Sequence, residues 1–231
     1  MEQSSVRVFS NNWNIYEKIR HANYMHHAEF ATQTADALKS FNGKHLHILD
    51  IGCGDAKALL PVLEQVTVAS YTGYDLSPNT LQLAEGHLTG RNFGYSLQQG
   101  DMMQLLQSDE KKYDLIYSAF AIHHLHDKEK RKLLQLCFAH LTPGGKMVYM
   151  DIFRAQQMSR EQYIERYLSM IRNDWQVLSE NEKQLLCEHI SEYDFPADTE
   201  ISIEWMQFLG FTLEQRYQPD AYHAMLVLSG E

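Results

Sequence analysis

The nine residues Ile48-Leu49-Asp50-Ile51-Gly52-Cys53-Gly54-Asp55-Ala56 constrain this chain more than any other stretch. An apolar run from Leu46 to Ile51 ends in an acid and passes straight into a glycine-spaced turn. The pattern predicts strand, turn and helix. Gly52 and Gly54 let the backbone approach a ligand where side chains would collide with it. Ala56 to Leu63 reads as the helix that follows. The dinucleotide fingerprint needs glycine at position 57, which is Lys57, and this opposes a nicotinamide oxidoreductase. Gly145-Lys146 is followed by Met147, not by the Ser or Thr of a P-loop. Phosphate is therefore not the favoured ligand.

Strand and helix signals alternate through the middle of the chain. Ser70 to Asp75 reads as a second strand, and Ser77-Pro78 then opens a helix with Ser as N-cap and Pro at its first position. Asn92 to Leu97 and Tyr113 to Phe120 read as the third and fourth strands. A helix over 127–141 stops at Pro143-Gly144-Gly145 and leads into a fifth strand, KMVYMDI. Such alternation implies a mainly parallel sheet covered on both faces. The flanks differ. Residues 12–39 read as helical, and after Ile152 two capping boxes appear, Ser159 with Gln162 and Ser179 with Glu182. A helix over Ile201 to Leu209 ends at Gly210, and Phe211 to Tyr217 and Tyr222 to Leu228 form a close-set antiparallel pair. With no repeat and no low-complexity linker, the expectation is a single domain, 1–231, with an N-terminal helical lid segment, 1–42, and a helical insertion, 155–200.

Charge narrows the partners. Twenty Lys and Arg against 30 Asp and Glu leave a net charge of -10. That opposes broad nucleic-acid binding, which needs a positive surface. Cys53, Cys137 and Cys187 form no CxxC pair, and no signal-peptide core or membrane-length apolar run is present. The expectation is a cytoplasmic protein with no membrane association, as a monomer or homodimer.

The acids recur at intervals. Asp75 ends the second strand 21 residues after Gly54, the spacing at which nucleotide-type folds place a ribose-binding acid. Asp101 follows Gly100 after the third strand. Carboxylates at adjacent strand ends, without phosphate-binding glycines, suit a cationic ligand that lacks phosphate. On ILDIGCGDA, GYDLS, QQGDMM, YDLIYSAFAIHHL and LTPGGKMVYMD, taken in order, the chain resembles the class I S-adenosylmethionine-dependent methyltransferases. The resemblance covers about 46–151 and the final strand pair. It implies a Rossmann-like, seven-stranded α/β sheet of order 3-2-1-4-5-7-6 with strand 7 antiparallel.

It also implies S-adenosyl-L-methionine as cofactor. Asp50, Gly52, Cys53 and Gly54 would surround its methionyl part. Asp75 would hold the ribose hydroxyls and Leu76 would pack on the adenine. Asp101 and Met102 would meet the adenine edge, and Ser118 and Phe120 would border the sulfonium. Tyr16 and Arg20 share one helix face, and Arg20 is placed to pair with the cofactor carboxylate. His123 and His124, just past the fourth strand, are the candidate catalytic bases. With no cysteine nearby and no matched carboxylate spacing, His123, His124 and His126 are not expected to hold a metal. The expected function is methyl transfer to a small-molecule acceptor. A protein or tRNA acceptor, and a non-catalytic cofactor-binding sensor or partner subunit, are the alternatives.

Overall fold

The structure, a computed structural model, describes residues 13–230. Residues 1–12 of the expected lid segment lie outside the described residues. In chain order the elements are α1 (Trp13–His21), α2 (His27–Ala37), β1 (His45–Ile51), α3 (Leu60–Leu63), β2 (Thr67–Asp75), α4 (Pro78–Leu88), β3 (Gly94–Gln99), α5 (Met102–Ser108) and β4 (Tyr113–Ala119). A 3-10 turn (Ile122–His124) leads to α6 (Asp127–His140), β5 (Leu141–Arg154), α7 (Arg160–Asp174) and α8 (Glu180–Tyr193). The chain closes with β6 (Ala197–Asp198), α9 (Thr199–Phe208), β7 (Phe211–Tyr217) and β8 (His223–Gly230).

The sheet runs β3-β2-β1-β4-β5-β8-β7, which is the expected order once the two-residue β6 is counted. The first five strands pair in parallel, and β8 lies antiparallel to both β5 and β7. Period-two alternation sends neighbouring residues to opposite faces. Ile48, Leu115 and Val148 join a core with α1, α2, α4, α7 and α8. Leu49, Ile116 and Met147 join a second core with α5, α6 and α9. The insertion thus packs on the same face as the N-terminal helices. Among the described residues no helix is long and apolar enough to cross a membrane.

Several elements differ from expectation for local reasons. The helix expected over 56–63 shrinks to α3, because Ala56 takes a left-handed φ of 64° and the chain turns before it coils. Residues 22–26 break the N-terminal helix in two, with Asn23 and His26 at φ 57° and 56°. Asp101 starts an unexpected helix, α5, by accepting hydrogen bonds from the backbone N–H of Met103 and Gln104. The fifth strand begins earlier, at Leu141, and the Pro143-Gly144-Gly145 segment sits where its register against β4 slips. Both capping boxes of the insertion form as the sequence predicts.

Candidate active site

Open parallel sheets bind ligands beyond the carboxyl ends of their strands, where the strand order reverses. Here that point lies between β1 and β4, and the cavity opens there. Its wall includes Asp50, Gly52 and Gly54 from the first turn, Asp75 and Leu76 after β2, and Met102 from α5. Phe120, His123 and His124 follow β4; Trp13 and Tyr16 come from α1; Tyr167, Trp175 and Asp194 come from the insertion. Four aspartates line the wall (Asp50, Asp55, Asp75 and Asp194), and no Lys or Arg does so among the described residues.

The glycine turn is tight. Gly52 sits at φ +71°, and a Cβ there would stand 2.3 Å from the Ala121 Cβ. Its N–H and that of Cys53 donate to the Tyr74 carbonyl at 2.8 and 3.0 Å, tying the turn to the end of β2. Asp75 fixes the same turn from the side, its Oδ2 accepting from the Gly54 N–H at 2.8 Å and its Oδ1 from the Ser77 N–H at 2.8 Å. Burial raises the Asp75 pKa, against the pull of these hydrogen bonds. Asp50 lies deeper and accepts from the Tyr71 hydroxyl at 2.8 Å. Burial lifts it to about 7, an effect that the Tyr71 bond counters and the nearby Asp75 and Asp55 reinforce. The Trp13 indole covers the turn, 2.8 Å from where a Gly54 Cβ would stand, and Lys57 clips α1 down through Glu17 at 2.8 Å.

The other end of the cavity holds imidazoles. His123 is buried, and its Nδ1 meets Asp151 Oδ1 at 2.5 Å while its backbone N–H donates to Asp151 Oδ2 at 3.0 Å. Burial alone would lower the His123 pKa, but Asp151 and Asp194 outweigh it and the net shift is upward. Its Nε2 faces Asp194 Oδ1 at 3.5 Å. His124 Nδ1 stands 3.3 Å from the same oxygen and 3.2 Å from the Tyr193 carbonyl. His189 Nε2 approaches that oxygen at 3.9 Å. Asp194 is buried; burial would raise its pKa, yet the three imidazoles bring it below the ordinary value.

The sequence-named residues divide in two. Tyr16, Asp50, Gly52, Cys53, Gly54, Asp75, Leu76, Met102, Phe120, His123 and His124 all border the cavity. Arg20, Asp101 and Ser118 are not in its wall. The Arg20 guanidinium pairs with Glu17 at 2.7 Å, the Asp101 carboxylate caps α5, and the Ser118 hydroxyl donates to the Ile51 carbonyl at 3.0 Å. Tyr16 is held elsewhere too, its hydroxyl 2.9 Å from His27 Nε2. The sequence reading missed Asp151, His189 and Asp194. Asp151 could have been found, because it ends the fifth strand beside the fourth-strand histidines; the other two carry no local signal.

Comparison with known proteins agrees with this geometry. Residues 48–145 match the model of the methyltransferase domain family. Residues 48–145 thus carry a methyltransferase domain, and the sheet has the fold of the class I S-adenosylmethionine-dependent methyltransferases. The ubiquinone biosynthesis O-methyltransferase of Coxiella burnetii is 29% identical over 111 residues, 48% of this chain and 45% of that protein. The phosphoethanolamine N-methyltransferase of Plasmodium falciparum is 27% identical over 121 residues, 52% of this chain and 44% of that one. The matched part thus spans under half the length of these relatives. The Synechocystis magnesium protoporphyrin IX methyltransferase, solved with S-adenosylhomocysteine, superposes with a TM-score of 0.65 at 13% identity, covering 100% of both chains.

Proposed function

We propose that this chain is an S-adenosylmethionine-dependent methyltransferase whose acceptor is a small molecule, uncharged or cationic. The observation that carries the reading is the cavity wall, with four aspartates and no Lys or Arg among the described residues. A cofactor with a sulfonium and an ammonium group suits such a wall; a phosphorylated or carboxylate acceptor does not. The residues fit the cofactor's parts. Asp75 has an oxygen toward the cavity side of the glycine turn for ribose hydroxyls, Leu76 and Met102 offer apolar surface for a flat base, and Asp50 with the 52–54 turn offers a compact polar end.

The cofactor, when bound, supplies an activated methyl group for in-line displacement by the acceptor. The protein's work is alignment and exclusion of water. Holding the line of attack can contribute ~7 kcal/mol or more to lowering the barrier. Tyr167, Trp175, Leu186 and Ile190 from the insertion and Ile19 and Met25 from the N-terminal helices make an apolar seat for the acceptor. The acceptor's proton leaves toward the imidazole end, where His123, backed by Asp151, is the first candidate base and His124 the second.

Calorimetric titration with S-adenosylmethionine, S-adenosylhomocysteine and NAD tests the cofactor half. Binding of the first two and not of NAD is expected; the reverse pattern overturns the reading. A panel of hydroxyl, thiol and amine acceptors, each with a phosphorylated counterpart, then tests the acceptor half. Turnover confined to the phosphorylated members overturns the charge argument.

A further inference from the structure

We infer that His123, His124 and Asp194 form a binding site for a divalent transition-metal cation, zinc being the ion their chemistry suits. The cation is placed to take an acceptor hydroxyl or thiol as a further ligand, and this last role rests on the methyltransferase reading above. One ligand atom from each of the three residues lies within 4.8 Å of the other two. The spacing is the main argument. Asp194 Oδ1 is buried, and imidazole nitrogens surround it at 3.3, 3.5 and 3.9 Å. Those separations exceed the usual N–H···O length of about 2.7–3.2 Å. The two that belong to the proposed ligands, 3.3 Å to His124 and 3.5 Å to His123, lie close to the edge of a zinc tetrahedron, in which two ligands about 2.0–2.1 Å from the ion stand roughly 3.3–3.4 Å apart.

The surroundings match as well. Zinc-bound histidines are commonly oriented by a carboxylate on the far ring nitrogen. Asp151 does this for His123, holding Nδ1 at 2.5 Å and leaving Nε2 turned toward Asp194. The loop that carries Asp194 is fixed on both sides. The Phe195 N–H donates to the His123 carbonyl at 2.8 Å, and Arg160 Nε donates to the Asp194 carbonyl at 2.7 Å. Coordination through His124 Nδ1 would displace its 3.2 Å approach to the Tyr193 carbonyl. His189, with its Nε2 at 3.9 Å from Asp194 Oδ1, is within reach as an alternative ligand.

All three ligands border the cavity, so an acceptor bound there can reach an ion held between them. That is the open arrangement of a catalytic rather than a structural zinc site. Two histidines and one carboxylate need no redox partner for this role. The ion lowers the pKa of a coordinated hydroxyl or thiol, whose proton passes to solvent, so that with metal bound the ion takes the part otherwise given to His123 or His124 as base. The acceptor oxygen or sulfur then forms its bond to the methyl carbon as the carbon–sulfonium bond breaks, and the electron pair stays on the departing thioether sulfur. Charge is accommodated, because Asp194, Asp151, Asp50 and Asp75 all lie at or behind this wall.

The test uses the full chain, stripped with a chelator and titrated with cobalt(II) and then zinc, with neither cofactor nor acceptor present. Visible ligand-field bands of tetrahedral cobalt, bleached by one equivalent of zinc, are expected. Asp194→Asn and the partly buried His124→Gln should each weaken the metal by roughly 10–100-fold or more, while His26→Gln should leave it unchanged. Circular dichroism verifies that each variant folds. Absence of the bands in the wild type, or bands undiminished in both site variants, overturns the inference. S-adenosylhomocysteine binding, measured on the same stripped samples, separates the two readings. If it persists without metal binding, the metal site alone is refuted; if it is absent, the methyltransferase reading fails.

Discussion

Two histidine–aspartate clusters, one in the cavity wall and one outside it, are built to different lengths. Around Asp220 every contact is a hydrogen bond. His223 Nδ1 and His26 Nε2 meet its Oδ2 at 2.8 and 2.9 Å, and the Tyr222 and His223 N–H groups meet its Oδ1 at 2.7 Å each. The far nitrogen of His223 takes the Tyr167 hydroxyl at 2.9 Å. Around Asp194 the imidazoles stop at 3.3 to 3.9 Å. The residue types are the same; the separation differs. A half-buried carboxylate with all its partners in contact ties α7, β8 and the α1–α2 turn together. One whose partners stand off gives up stability in favour of a ligand.

The largest expected effect would break the frame that carries both clusters. Gly52→Val forces a branched side chain into a left-handed backbone and against Ala121. We expect a loss of roughly 3 kcal/mol or more in urea unfolding, together with loss of cofactor binding in calorimetry. Asp75→Ala should lose cofactor binding as well, with the Gly54 N–H left without its acceptor.

The sharpest comparison pairs the two aspartates. Asp220→Asn should cost about 2–3 kcal/mol in urea unfolding, since it weakens charge-assisted bonds to two imidazoles. Turnover at saturating acceptor should change only a few-fold. Asp194→Asn should do the opposite, lowering turnover roughly 100-fold while costing less stability than Asp220→Asn does. Equal stability losses in the two variants would erase the distinction drawn here.

Acid separates the clusters more gently. Burial would raise the Asp220 pKa, but its bond to His223 and that histidine's charge bring it well below the ordinary value. A carboxyl with a depressed folded pKa contributes stability that is present above its unfolded pKa, about 3.9, and is lost as pH falls below that. His27, beside this cluster, works in another window. Burial, followed by the charges of Arg20, His223 and His26, lowers it to about 3. The unfolded chain accepts a proton there that the folded chain refuses, so stability falls as pH drops from about 6.5 toward 3. Urea midpoints at pH 7, 5 and 3.5 should fall throughout, and Asp220→Asn should remove only the loss below pH 4.

The smallest effect concerns a residue outside both clusters. Arg20→Ala removes a half-buried pair with Glu17. Stability should move by less than about 1 kcal/mol and cofactor affinity by less than about three-fold, in calorimetry. A ten-fold loss would show that the guanidinium leaves Glu17 for the cofactor carboxylate.

What the sequence showed and what it hid follow from range. The glycine turn, the strand-end acids and the capping boxes each act within a few residues, so their spacing carries their geometry. The parallel order of β1 to β5 follows from the same alternation. Ala56 concealed its left-handed backbone because nothing in an alanine announces one, and the helix beyond it was overdrawn. Arg20 is correctly on a cavity-side helix, yet Glu17 sits one turn away and takes its charge. The histidine cluster is the clearest case. His123 and His124 are visible as a pair, but Asp194 reaches them from about 70 residues on, through an insertion whose only local signals are its helix caps.

The two residues of β6 have a further consequence. Phe153 and Arg154 pair with Ala197 and Asp198, so the insertion leaves the sheet and returns to it across a single strand spacing of about 4.8 Å. Thr199 Oγ1 donates to the Arg154 carbonyl at 3.2 Å and closes the neck. Everything between is a cassette with its terminals side by side. An inherited or engineered replacement of residues 155–196 can change what the cavity accepts while leaving the registers of the other strands intact. Diversification at this neck is geometrically inexpensive, and grafting a relative's segment at 154 and 197 is the way to exploit it.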